Sequence, residues 1–442
     1  MTVRLMTIGM LSAAALLVAT PVFAQLPPAR AARPARTLFG QVKPASERLT
    51  VGASFAGGYD DDLTAVIPGE PPVRSGQFLS AVANAGYTID KEKVRGDLSF
   101  SAGARYYGDG SPPLTTYNGG GSVSVSLSKN ASMTGTIHTG SYLDIASIFG
   151  GDAYGSNPFS SSVPLVPIES GIYPDGNPYD SFHGGIQFGY QVNARVNVGG
   201  GYSYYANNAF TSASHLYGSQ SASGAITVDL GKGFGLRAGY GYTDGGFGTA
   251  AGVPTYSGHS FDGGLTYGQS LSVTRRSTLS FATSVSSVTD QTLEVRVFAG
   301  GTASFTYEIG RSWDAGVHYS RGVNFYQLLA QPTFSDTLTA GIGGAIGRRI
   351  QVSGTAGVIF GTVGVAGGSP GYDTANASGG MRVGLSRHIG LSVNYAYYRY
   401  QYDSSVILPP GMSNSRENQV VRVSFDVWAS VYERARRANA TR

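Results

Sequence analysis

Asn418-Gln419-Val420-Val421-Arg422-Val423-Ser424-Phe425-Asp426-Val427 reads with a period of two. Gln419, Val421, Val423, Phe425 and Val427 fall on one side of an extended chain, and Asn418, Val420, Arg422, Ser424 and Asp426 on the other. Successive side chains of a strand point to opposite faces, so this ribbon has one largely apolar and one largely polar face. Strands buried on both faces would instead be continuously apolar. The pattern recurs upstream. Val295, Val297, Ala299, Gly301, Ala303, Phe305 and Tyr307 oppose Arg296, Phe298, Gly300, Thr302, Ser304 and Thr306, and Ile350, Val352, Ala356, Val358 and Phe360 oppose Gln351, Ser353, Thr355 and Gly357.

Short turn signals punctuate these segments near Glu92, Asn130, Asn193, Lys232, Thr274, Gly310, Arg348 and His388, and the last strand is expected to end near Trp428. The unit is about 39 residues, the length of two strands of about 12 to 14 residues, a tight turn and a longer loop. The interval from Asn130 to Asn193 is longer because of one long loop, Leu143 to Pro178. Short turns at one end and long loops at the other predict an all-β, up-and-down antiparallel sheet of about 18 strands, within about two, over residues 47–428.

Composition narrows the setting. Only 13% of the 442 residues are charged, against roughly 25% in soluble domains, while 64 are Gly, 28 Tyr and 20 Phe. With 41% hydrophobic residues and a net charge of +4, the chain does not have the composition of a disordered protein. The absence of Cys excludes disulfides, thiolate metal sites and a Cys-linked lipid. The 31 Lys and Arg are dispersed along the chain apart from the two tails, which speaks against nucleic acid.

Arg4, the apolar Leu5 to Ala19 and the Val22-Phe23-Ala24 site predict a cleaved secretory signal over residues 1–24. Residues 25–46 read as a flexible basic Pro/Ala/Arg-rich leader, and residues 429–442 as a basic tail. Beyond Ser46 no run approaches the roughly 18 apolar residues of a membrane helix, so a membrane crossing would use strands. Strands of this length suit a tilted crossing. An open edge in hydrocarbon would leave roughly ten backbone groups unpaired at several kcal/mol each, so the sheet is expected to close into a transmembrane barrel. Tyr106, Tyr107, Tyr202, Tyr204, Tyr205, Tyr240, Tyr242, Tyr395, Tyr397, Tyr398 and Tyr400 lie where strands approach the long loops, as a lipid–water girdle would.

On these residues the chain resembles bacterial outer-membrane porins and related β-barrel porin families. Phe425 and Trp428 match the aromatic C-terminal assembly signal of such barrels, but the Arg-rich tail to Arg442 departs from it. The resemblance implies the outer membrane of a Gram-negative bacterium, with lipid, lipopolysaccharide and the barrel-assembly machinery as partners. It is also compatible with a homo-oligomer.

About 18 strands at 4.8 Å spacing and a tilt near 40° give a radius of roughly 18 Å, too wide for side chains to fill. Inward positions such as Gly199, Gly201, Ser203, Gly239, Gly241, Gly341 and Gly343 are small. The candidate pore-lining bases are Arg105, Arg237, Arg296, Arg382 and Arg422, and the long third loop supplies Asp144, Asp152, Glu169, Asp175 and Asp180 with no Lys or Arg. Two arrangements are open. The loop acids could face the wall arginines across a constriction and set a transverse field. Alternatively, the arginines pair locally with Asp97, Glu294, Asp314 and Asp426 while the loop stays outside.

The six His form no i, i+4 pair or HExxH, Gly231-Lys232-Gly233 fits no phosphate loop, and His318 near Asp314 reads as a hydrogen-bonded lumen pair. No cofactor, metal site or enzyme is expected. The sequence points to passive passage of small hydrophilic solutes. The alternative is an accessory barrel for export or surface assembly of a sugar polymer with periplasmic partners.

Overall fold

The computed structural model describes residues 45–61, 76–108, 113–141, 143–144, 171–172, 179–209, 216–247, 255–270, 276–289, 295–310, 312–324, 333–364, 370–406 and 414–435. The signal segment and residues 25–44 of the leader lie outside them, whereas Ala45 and Ser46, read as the end of the leader, begin the first strand. The strands are β1 (Ala45–Asp60), β2 (Gly76–Asp90), β3 (Val94–Tyr107), β4 (Leu114–Ser126) and β5 (Ala131–Gly140). A two-residue ribbon, β6 (Leu143–Asp144) with β7 (Gly171–Ile172), belongs to the long connection. Then come β8 (Tyr179–Gln191), β9 (Val196–Ala209), β10 (Leu216–Gly231), β11 (Phe234–Phe247), β12 (Thr255–Ser270), β13 (Ser277–Thr289) and β14 (Val295–Ile309). The last six are β15 (Trp313–Asn324), β16 (Thr333–Ile346), β17 (Ile350–Val363), β18 (Gly371–Gly384), β19 (Ile389–Tyr402) and β20 (Ser415–Ala435).

Eighteen of these form one sheet in which each strand pairs antiparallel with its neighbours, and β1 pairs with both β2 and β20. The sheet is therefore a closed all-β barrel. Seven of the eight short turns fall where the sequence places them, and the one near Thr274 lies outside the described residues. The Gly231-Lys232-Gly233 turn needs positive φ at all three residues (89°, 54° and 83°), which explains its glycines. One boundary differs: β20 runs to Ala435, beyond Trp428, because β1 continues to pair with it as far as Ala45.

Register assigns every side chain to a face. On β20, Val421, Val423, Phe425 and Val427 are exposed, whereas Val420, Arg422, Ser424 and Asp426 are buried. The exposed set continues round the circumference as Phe55 (58% exposed), Leu79 (68%), Phe261 (57%), Val297 (67%) and Phe360 (57%). A continuous apolar belt on the convex side of a closed sheet is a lipid-facing surface.

The seam between the first and last strands carries side-chain bonds as well as the ladder. Asp426 accepts from Ser54 (2.8 Å), Ser392 (3.1 Å) and Ser424 (3.1 Å) and pairs with Arg382 at 3.5 Å. Arg422 donates to Ser54 at 3.2 Å, and Asn418 donates to Asp60 at 2.7 Å. Below them Arg48 pairs with Glu433 (3.0 Å), and Lys91 with Glu47 (2.6 Å).

Two outcomes follow from this arrangement. In the Cys-free chain, a nitroxide on Val423→Cys reconstituted in bilayers should be relaxed by oxygen and not by a water-soluble nickel complex, with the reverse at Ser203→Cys. Strong nickel relaxation at Val423→Cys would contradict a lipid-facing belt. Asp426→Ala should destabilise the barrel by about 3–5 kcal/mol, because it leaves buried Arg382 without its carboxylate. The readout is the denaturant midpoint for loss of the folded gel band.

Candidate functional site

The concave inner wall surrounds the barrel axis, and strand register sets which of the predicted site residues belong to it. All five arginines point inward. Arg105 lies opposite Ser80, Arg237 opposite Thr227, Arg296 opposite Val288, Arg382 opposite Gln351 and Arg422 opposite Asn394. Three of them are not open to the lumen, contrary to expectation: Arg105, Arg382 and Arg422 keep only 4%, 6% and 2% of their surface.

The cause is local crowding. Arg105 pairs with Asp60 at 3.2 Å and lies 4.4 Å from the centroid of the Phe78 ring, and the Tyr107 hydroxyl donates to the same carboxylate at 3.3 Å. Gly58 makes room for this cluster, since a Cβ there would meet the Phe78 ring at 2.5 Å. Arg382 lies 4.5 Å from the centroid of the Trp428 ring. Arg237 and Arg296 are only half-buried. Arg237 pairs with Asp262 at 3.4 Å across β11 and β12, a partner that sequence spacing did not suggest. Of the partners that it did suggest, Asp426 holds Arg382, Asp97 accepts from Ser122, and Glu294 lies outside the described residues.

The acidic set separates. Asp152, Glu169 and Asp175 lie outside the described residues, and Asp144 sits in the β6/β7 ribbon. Asp180 is not a loop residue: β8 begins at Tyr179, and the alternation that turns Ser181 and His183 inward turns Asp180 outward. There it accepts a hydrogen bond from the Tyr117 hydroxyl. It cannot face a wall arginine from that side of the sheet.

The tyrosines divide by parity. Tyr106, Tyr202, Tyr204, Tyr240, Tyr242, Tyr395 and Tyr397 are on the outward face, Tyr106 next to the long-loop end of β3 and the other six around the middle of their strands. Tyr202 donates to Gln220 (2.9 Å), Tyr395 to Gln419 (3.3 Å), and the Tyr240 hydroxyl lies 2.8 Å from His259 Nδ1. Tyr107, Tyr205, Tyr398 and Tyr400 point inward and are buried, so they are not part of an outer girdle. A two-residue alternation separates Tyr106 from Tyr107 and Tyr204 from Tyr205, which a count of clustered aromatics does not register.

The inner wall is consequently uneven. Across β1–β3 and β16–β20 it carries Phe78, Tyr107, Ile359, Tyr372, Tyr398, Tyr400 and the buried arginines, with Gly341, Gly343, Ser353 and Gly357 between them. Across β9–β15 small residues predominate, Gly199, Gly201, Ser221, Ser223, Gly239, Gly241, Ser260, Gly300 and Thr302, with Tyr205, Arg237, Asp262, Arg296 and Phe298 among them. His138 and His183, far apart in sequence, stand directly opposite each other on β5 and β8. His318 and Asp314 share the inner face of β15.

The two ends differ in charge. The short turns hold Lys91 and Lys93, Lys129, Arg195, Lys232, Arg275 and Arg276, Arg311, Arg348 and Arg349, and Arg387, with Glu92 as their sole acid. The long connections hold Asp61, Asp62, Glu70, Asp109, Asp144, Asp152, Glu169, Asp175, Asp290, Glu294 and Asp403, with Arg74 as their sole Lys or Arg. The strand order thus assigns bases to the short turns and acids to the long connections, of whose acids Asp61, Asp144 and Asp403 lie within the described residues.

No family model matches the chain, and no curated relative does. Among solved structures it is similar to OccAB2 of Acinetobacter baumannii, at 10% identity over 87% of this chain and 98% of that one, with a TM-score of 0.42. It is also similar to OccK5 (OpdH) of Pseudomonas aeruginosa, at 10% identity over 88% and 99%, with a TM-score of 0.40. A bacterial polysaccharide outer membrane secretin matches at 10% identity over 85% and 97%, with a TM-score of 0.32. At this distance the likenesses bear no weight for what the protein does, and the barrel architecture stands on the chain's own strand pairing.

Proposed function

We propose that the barrel is a channel in the outer membrane of a Gram-negative bacterium, passing small hydrophilic solutes by diffusion along an aqueous lumen. The observation that carries this reading is the inner wall of β9–β15. Its Gly, Ser and Thr leave the axis of an eighteen-stranded cylinder open on that side, and such a cylinder is too wide for side chains to fill. The aromatic and arginine-rich side supplies rigidity, because its charges are paired and enclosed. Selectivity then belongs to the bases that keep solvent exposure, Arg237 and Arg296, and to the charges at the two mouths. The outward tyrosines, each with an apolar ring and a polar hydroxyl, would mark the lipid–water boundary on the long-loop side of the apolar belt, with the strands running on beyond it. Lipid, lipopolysaccharide and the assembly machinery are the partners this reading requires, and no cofactor enters it.

The test is single-channel recording of the purified full chain in planar bilayers with graded sugars and salts. Ohmic conductance that falls as sugars of increasing size block the lumen is expected. A barrel that stays silent would overturn the channel and favour the export-accessory reading. Arg237→Ala should shift the cation-to-anion permeability ratio, whereas Arg382→Ala should lower stability with little change in that ratio. With acid at one mouth and base at the other, the current–voltage curve should rectify in 0.1 M salt, where the Debye length is about 10 Å. It should become linear in 1 M salt, where that length is about 3 Å.

A further inference from the structure

The bases of the short turns look scattered in the sequence, but the up-and-down topology brings them to one rim. Each of the eight turns carries at least one Lys or Arg, and the nine of these bases that fall within the described residues are exposed. Two strands separate successive turns, so the bases recur about every 12 Å around the circumference.

Their height relative to the lipid belt is set by the neighbouring residues. Leu127 (55% exposed), Leu230 (52%), Ile346 (53%) and Leu385 (54%) are the last exposed apolar side chains at the short-turn ends of β4, β10, β16 and β18, each two residues from Lys129, Lys232, Arg348 or Arg387. Val192 precedes Arg195 by three residues. At about 3.3 Å per residue, each base sits within roughly 10 Å of the end of the hydrocarbon-facing belt, at the depth of the headgroups. A partner protein would engage one sector of a rim. Bases on every turn, directly below an apolar belt that encircles the barrel, fit a partner that also encircles it.

We propose that this rim is a collar that holds anionic phospholipid, through the headgroup phosphates of the leaflet at the short-turn end. The collar rests on the lipid-facing belt and is independent of whether the lumen conducts. Each base beside an anionic surface is worth about 1 kcal/mol, on the order of fivefold in local lipid affinity.

The experiment uses the full chain in nanodiscs of phosphatidylethanolamine and phosphatidylglycerol at a known ratio, with retained lipids counted by native mass spectrometry. The wild type should retain phosphatidylglycerol several-fold above its bulk share, less so in 1 M salt. The variant K129Q/R195Q/R348Q/R349Q/R387Q should retain lipids at the bulk ratio. Equal enrichment in both proteins would overturn the collar, and so would no enrichment in the wild type. Complete displacement of the lipid by inorganic phosphate at matched concentration would also overturn it and identify a free-anion site. If the fivefold variant does not fold, R348Q/R349Q should show a partial loss, and enrichment unchanged in it would count against the proposal. Conductance is not read, so this result stands apart from the channel test.

Discussion

Every backbone N–H and C=O in the apolar belt must find a partner inside the sheet, because hydrocarbon offers none. For eighteen strands that requirement is met only when β1 and β20 pair, and they do so from Ala45 to Asp60. The seam is the one junction between strands remote in sequence, and it is where polar side chains add to the ladder. Ser54, Asp426, Arg422 and Asn418 bond across or beside it, and Arg48 with Glu433 ties its short-turn end. Closure also fixes register around the whole circumference. Since side chains alternate, that register decides which residues meet lipid and which meet the lumen.

With the faces fixed, the inner wall divides into two materials. On one side, arginines, tyrosines and Phe78 form paired, enclosed clusters in which Asp60 and Asp426 each collect several donors. Burial of a guanidinium is tolerable there because the carboxylate and an aromatic face replace its water. On the other side, glycine and hydroxyl residues line the wall, and Arg237 with Asp262 remains near solvent. Function is assigned to the second side because a solute can reach only charges that are not already enclosed.

Charge is sorted along the axis as well as around it. A net charge of +4 over 442 residues conceals a rim of bases and, at the opposite end, connections of acids. Short turns need few residues, and their bases lie next to the lipid belt. In the proposed reading, one end therefore meets phospholipid phosphate while the other shapes the entry of charged solutes.

The alternation in Asn418 to Val427, seven turn positions and the strand number were legible from sequence because each depends on local order: a period of two, a loop residue, an interval of about 39. Residue face was legible too, which is why all five arginines point inward as read. Their accessibility was not, because Arg105 is enclosed by Asp60 and Phe78, and Arg382 by Asp426 and Trp428, all from other strands. Asp180 left the loop set because β8 already begins at Tyr179, Tyr107 and Tyr205 left the girdle by strand parity, and pairing of β5 with β8 across the long connection set His138 opposite His183. The bases that seemed dispersed became a ring. The sequence alone determined a two-faced strand repeated until it closes, since that follows from neighbours along the chain. Only the tertiary structure decided which charges are paired, enclosed or gathered at a rim, since those depend on residues that closure brings across the barrel wall.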